Sequence, residues 1–112
     1  VKSDRLYLEH ILDSIGAIEI YVAGGKNSFL NERMIQDAVI RNFEIVGEAA
    51  NRLSPELRAA TPTPWKRIIA FRNRLIHAYW GVDLILVWDV IANELAPLKL
   101  EAARLLKELK GE

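Results

Sequence analysis

Between Ile35 and Leu53 the apolar residues step by four, four, three, four and three: Ile35, Val39, Phe43, Val46, Ala50 and Leu53. A helix gathers that spacing on one side of its axis, whereas a strand needs alternation by two. The pattern predicts a long amphipathic helix from about Ser28 or Asn31 to Leu53. Asp37, Arg41, Glu44 and Glu48 form a polar stripe beside the apolar face. Asp37 and Arg41 have the spacing of an i,i+4 ion pair, worth a few tenths of a kcal/mol if exposed. Gly47 lies inside this helix, where it costs ~1 kcal/mol relative to alanine. Its expected use is to let a neighbouring helix approach closely.

The same periodicity recurs along the chain. Ser3-Asp4 is a candidate cap for a first helix carrying Leu8, Ile11, Leu12, Ile15, Ile18 and Val22 on one face, and Gly24-Gly25-Lys26-Asn27-Ser28 supplies turn chemistry after it. Ser54-Pro55 opens a short helical turn. Thr61-Pro62-Thr63-Pro64 breaks the chain and restarts it as a helix over about Pro64 to Tyr79. Gly81 ends that helix and Asp83 caps the next, whose apolar side is Leu84, Val87, Trp88 and Ile91. Pro97 predicts a kink or break near Asn93 to Pro97, followed by a helix carrying Leu98, Leu100, Ala103, Leu105, Leu106 and Leu109. No strand signal competes. The expected fold is all-α: an antiparallel bundle of four to five helices in a single domain over residues 1–112.

A composition of 51% hydrophobic and 27% charged residues is that of a globular domain. No apolar run approaches the ~20 residues of a membrane span, and the N-terminal residues lack the apolar core of a signal peptide. Cysteine is absent, so there is no disulfide, thiolate nucleophile or thiolate metal site. A cytoplasmic location is the expectation. Net charge is zero, but its distribution is uneven. From Leu57 to Val82 there is no Asp or Glu, while Arg58, Lys66, Arg67, Arg72 and Arg74 all lie there. The segment is either a positive field suited to a phosphate-bearing ligand or is neutralised by carboxylates from other helices.

That basic segment contains the most chemically loaded stretch of the chain, Phe71-Arg72-Asn73-Arg74-Leu75-Ile76-His77-Ala78-Tyr79-Trp80. The apolar stripe of its helix reads Trp65, Ile68, Ile69, Leu75, Ile76 and Tyr79, and position 72 falls on that stripe. A guanidinium on an inward face needs a carboxylate, an anion or a water-filled cleft. Glu44 and Glu48 are the candidate carboxylates. Histidine moves protons near neutral pH, and arginine grips a phosphate at two points and stabilises charge developing on it. Together they suffice in principle to cleave RNA without a metal. No Gly-rich phosphate loop, His-Glu-x-x-His or paired-carboxylate motif competes, and no cofactor or metal is expected. Arg72 and His77 are about 140° apart on an ideal helix, whereas Asn73 and His77 share a face. Either the helix loosens before Gly81, or a second copy completes the site across a two-fold axis. Tyr79 also suits a core or interface position, and Trp65, Trp80 and Trp88 suit packing.

Arg72-Asn73-Arg74-Leu75-Ile76-His77, followed by Ala78-Tyr79, resembles the Arg-x4-His-x-Tyr motif of HEPN-domain toxins of the HepT type. Gln36-Asp37-Ala38-Val39-Ile40-Arg41-Asn42, Val46-Gly47-Glu48-Ala49-Ala50, Pro64-Trp65-Lys66-Arg67-Ile68-Ile69, Gly81-Val82-Asp83 and Asn93-Glu94-Leu95-Ala96-Pro97 are similar to that family too. The likeness covers about residues 4 to 107. It implies a helical bundle that dimerises through the motif-bearing region. It also implies a metal-independent endoribonuclease acting as the toxin of a type VII-like toxin–antitoxin pair. Arg72 and His77 inherit the catalytic roles, with Asn73 an accessory polar residue. The implied partner is a minimal nucleotidyltransferase antitoxin of the MntA type, which transfers AMP from ATP to the motif tyrosine, here Tyr79. The alternative from the residues is a non-catalytic helical dimerisation or interaction module that binds the nucleotidyltransferase or a nucleotide.

Overall fold

The structure, a computed structural model, describes residues 2–76 and 81–111. Among these residues there are seven α-helices and no strand: α1 (Lys2–Tyr21), α2 (Lys26–Asn31), α3 (Arg33–Arg52), α4 (Pro55–Ala59), α5 (Trp65–Ile76), α6 (Leu84–Asn93) and α7 (Leu95–Gly111). The all-α expectation stands. The count exceeds four or five because two short pieces, α2 and α4, are helices of their own.

The core forms where α1 lies against α3 and α7 covers α1. Leu8, Ile11, Ile15 and Ile18 of α1 are fully buried, as are Val39 and Ala50 of α3, with Phe43, Val46 and Ala49 nearly so. Each buried leucine, isoleucine, valine or phenylalanine contributes roughly 1.5–3 kcal/mol when withdrawn from water. The turn after α1 depends on Gly25, whose φ of 91° lies where L-residues with a Cβ are strained.

Four sequence expectations change. Ser3-Asp4 does not precede α1 but lies in its first turn. Asp4 is 3% exposed, and its carboxylate accepts hydrogen bonds from the Ser54 N–H and hydroxyl, both at 2.7 Å. The Ser54 oxygen in turn accepts from the Leu57 N–H and caps α4. The second predicted helix is divided at Glu32, whose extended backbone (φ −121°, ψ 111°) separates α2 from α3. Phe29, fully buried, and a hydrogen bond from Gln36 Nε2 to the Phe29 carbonyl hold that corner. Asp37 pairs backwards with Arg33, while Arg41 pairs forwards with Glu44, in place of the expected Asp37–Arg41 pair. In α7 the inward face carries Leu95, Ala102 and Leu105, whereas Leu100 is 73% exposed and Ala103 is exposed. The predicted break before α7 falls at Glu94, and Pro97 occupies the third position of the helix, where no intrahelical N–H bond is lost.

Asp83 caps α6 as expected, its carboxylate accepting from the Leu86 N–H at 3.1 Å. Trp65 and Trp88 are packing residues. The Trp65 indole N–H donates to the Thr61 hydroxyl at 2.8 Å, and Trp88 lies against Phe29. No helix among the described residues is long and apolar enough to cross a membrane.

Candidate functional site

Helix α5 carries the motif and packs chiefly on α3. Trp65 and Leu75 are its buried anchors; Ile68, Ile69 and Phe71 are half-buried, and Ile76, expected on the inward stripe, is 39% exposed. Phe71 meets Phe43 of α3 edge to face, with ring centroids 5.3 Å apart. One residue further on, the stem of Arg72 crosses α3 directly over Gly47. A Cβ built on Gly47 would lie 2.1 Å from the Arg72 Cβ and 2.6 Å from its Cγ. The close approach expected of Gly47 is therefore made, and its partner is the motif arginine.

Arg72 is half-buried, and its Nε is enclosed without a hydrogen-bond acceptor among the described residues. Its Nη1 donates to the Asn73 side-chain oxygen at 2.9 Å. The carboxylates that could have neutralised it are engaged elsewhere. Glu44 pairs with Arg41 at 3.5 Å and Glu48 with Arg52 at 3.4 Å. Asn73 thus meets Arg72; His77, with which its spacing groups it on an ideal helix, lies outside the described residues. Asn73 and Arg74 are exposed. His77 and Tyr79 lie outside the described residues, as does Trp80.

The basic segment is neutralised in part. Arg67 forms an ion pair with Glu94 at 2.8 Å, linking α5 to the end of α6. Among the described residues, no carboxylate makes a salt bridge to Arg58, Lys66, Arg72 or Arg74.

On its other side α5 borders an open groove of about 640 Å³ shared with α3, α6 and α7. Phe43, Ile68, Phe71, Leu86, Val90 and Leu98 give it an apolar floor, and Arg74 and Glu101 are among its charged residues. Arg72 does not line it. The groove and the Arg72 seat are two separate features of one helix. Sequence periodicity marked the two parts of the seat, Gly47 and the charged position on the stripe, but did not join them; the structure does. Periodicity did not identify the groove, which depends on how far α6 and α7 stand from α5.

The whole arrangement is a helical scaffold in which an arginine with no salt bridge among the described residues sits in the contact between α3 and α5. Comparison with known proteins supplies the family. The family model for HepT-like ribonucleases matches residues 11–105, and the chain belongs to that family. A Methanocaldococcus jannaschii protein named "Gamma-glutamylcyclotransferase and putative RNase" is 41% identical over 110 residues, covering 96% of this chain but 50% of the relative. The chain thus spans half the length of that relative. A "Putative RNase" of Caldanaerobacter subterraneus subsp. tengcongensis is 34% identical over 112 residues, 98% of this chain and the whole of the relative. A "Probable ribonuclease HepT" of Thermococcus cleftensis is 34% identical over 108 residues, 95% and 98% of the two chains. No solved structure matches the chain at a significant level.

Proposed function

We propose that the chain is a metal-independent endoribonuclease in which Arg72 and His77 act on an RNA phosphodiester. The observation that carries this reading is the state of Arg72. Its stem is seated against α3, its Nη1 is oriented by Asn73, and no carboxylate of the described residues neutralises it. A guanidinium oriented in this way and paired to no carboxylate of the described residues suits an anion brought from outside. Membership of a ribonuclease family makes RNA the class of substrate.

In the proposed reaction the ribose 2′-oxygen loses its proton and attacks the adjacent phosphorus. The bond to the 5′-oxygen breaks, and that oxygen leaves protonated. The products are a cyclic phosphate and a 5′-hydroxyl. His77 moves one of those protons. Arg72 holds the non-bridging oxygens as they gain charge, a role worth about 10²–10³ in rate where a single such donor is removed. A second copy, paired through the motif-bearing region, would complete the cleft and answer the angular separation of Arg72 and His77 along one helix.

Regulation follows from the same chemistry. We infer that the chain is the toxin of a toxin–antitoxin pair whose nucleotidyltransferase partner attaches AMP to Tyr79. The tyrosine oxygen attacks the α-phosphorus of ATP, and pyrophosphate leaves. The attached phosphate places negative charge and bulk where substrate would bind.

The deciding experiment is cleavage of a mixed-sequence oligoribonucleotide by the parent, Arg72→Ala and His77→Ala. Loss of cleavage in both folded variants supports the reading; parental cleavage in either one removes that residue from the mechanism. Co-expression with a minimal nucleotidyltransferase of the MntA type and weighing of the intact chain tests the second part. An AMP-sized increment absent from Tyr79→Phe is expected. A second reading rests on the apolar groove beside α5, which suits a protein-binding module. Binding of the nucleotidyltransferase without RNA cleavage at any concentration would favour it.

A further inference from the structure

Two glycines lie within long helices, Gly16 in α1 and Gly47 in α3. Each costs its helix ~1 kcal/mol relative to alanine, so each raises the question of what the missing side chain permits. Around Gly16 the answer is nothing specific: a Cβ there would meet no atom within 4 Å. Around Gly47 the space is already taken. The added Cβ would fall 2.1 Å from the Arg72 Cβ, 2.6 Å from its Cγ and 3.5 Å from its Cα. These atoms are the root of the arginine, tied to the backbone of α5, and cannot swing aside as a flexible tip would.

Rotation of the Arg72 side chain would move its Cγ but leave its Cβ in place, so relief would require moving α5 off α3. The edge-to-face contact of Phe71 with Phe43 opposes that movement. Neighbouring positions of α3 tolerate a Cβ, since Ala49 and Ala50 are both buried there. The requirement for hydrogen is confined to the position beneath the arginine.

We propose that Gly47 is the positioning residue for Arg72: its bare backbone sets the depth at which the arginine root lies on α3 and so fixes where the guanidinium is presented. The proposal rests on the reading of Arg72 as the group that holds the RNA phosphate. Gly47 itself does not touch substrate. It acts by placing a charged group whose usefulness depends on position to within an ångström.

The test uses the full chain and a mixed-sequence single-stranded oligoribonucleotide. Gly47→Ala is expected to lower kcat by about 10- to 100-fold per folded molecule and to lower the melting temperature. Gly16→Ala, the matched control, should keep parental kcat and melt slightly higher. Retention of parental kcat by folded Gly47→Ala, with Arg72→Ala inactive, would overturn the positioning role alone. Parental cleavage by Arg72→Ala would overturn both the role and the reading beneath it. Stability gives a measurement independent of catalysis. In an Arg72→Gly background, where the opposing Cβ is gone, Gly47→Ala should raise the melting temperature instead of lowering it. Equal loss in both backgrounds would show that the two residues are not in contact. If Gly47→Ala alone does not fold, recovery of folding in the double variant supports the proposal and continued unfolding overturns it.

Discussion

Helix α3 meets two neighbours on different terms. Towards α1 it faces Leu8, Ile11, Ile15 and Ile18, all fully buried. Towards α5 it faces a helix with two buried anchors, Trp65 and Leu75, and an arginine between them. The first contact is filled with aliphatic groups in the manner of a protein interior. The second gives up burial to hold a cation at depth, and uses a glycine to make room for its stem. On the proposed reading of Arg72, stability and chemistry fall to separate contacts of one helix.

That division can be broken from either side. The largest effect is expected at the core. Phe29→Ala should cost about 3–5 kcal/mol in a urea titration, while cleavage per folded molecule stays parental. Arg72→Ala should do the reverse, lowering kcat by about 10²–10³ with a far smaller change in the urea midpoint. If it unfolds the chain instead, the arginine belongs to the scaffold. Asp4→Ala removes both hydrogen bonds to Ser54 and unties α1 from the cap of α4. A loss of about 1.5–3 kcal/mol is expected, the range for hydrogen bonds to a charged group, with activity unchanged.

The smallest effect concerns the groove wall. The hydrogen bond from Arg104 holds the Glu101 carboxyl below its usual range. The folded value is lowered, so the pair's contribution is present above about pH 5 and fades as pH falls through the folded-state value. Glu101→Gln should therefore cost no more than about 0.5 kcal/mol at neutral pH, the pair being part-exposed. Urea midpoints of parent and variant should converge in acid; a difference that persists at low pH would contradict the ion pair.

Much of this was legible in the residues. The α1 and α3 stripes, the Ser54 and Asp83 caps, the break before α7 and the charged position on the α5 stripe all follow from local spacing. The misreadings share a cause. Asp4 resembles a cap for its own helix, but its partner is fifty residues away, and no local pattern encodes that. Leu100 counts as apolar in a heptad scan, yet the orientation of α7 is set by Leu95, Ala102 and Leu105 together. Phe29 went unnoticed because α2 is too short to show a period. At the site, an arginine on an inward stripe could be recognised, but that no carboxylate of the described residues pairs with it depended on Glu44 pairing with Arg41 and Glu48 with Arg52.

The one-sided attachment of α5 has a kinetic consequence. A helix secured chiefly to one neighbour, with the Arg67–Glu94 ion pair as an outer latch, can unzip as a unit while α1, α3 and α7 stay folded. Its amides should exchange with deuterated solvent well ahead of those in α1, and faster still in high salt, which screens the latch.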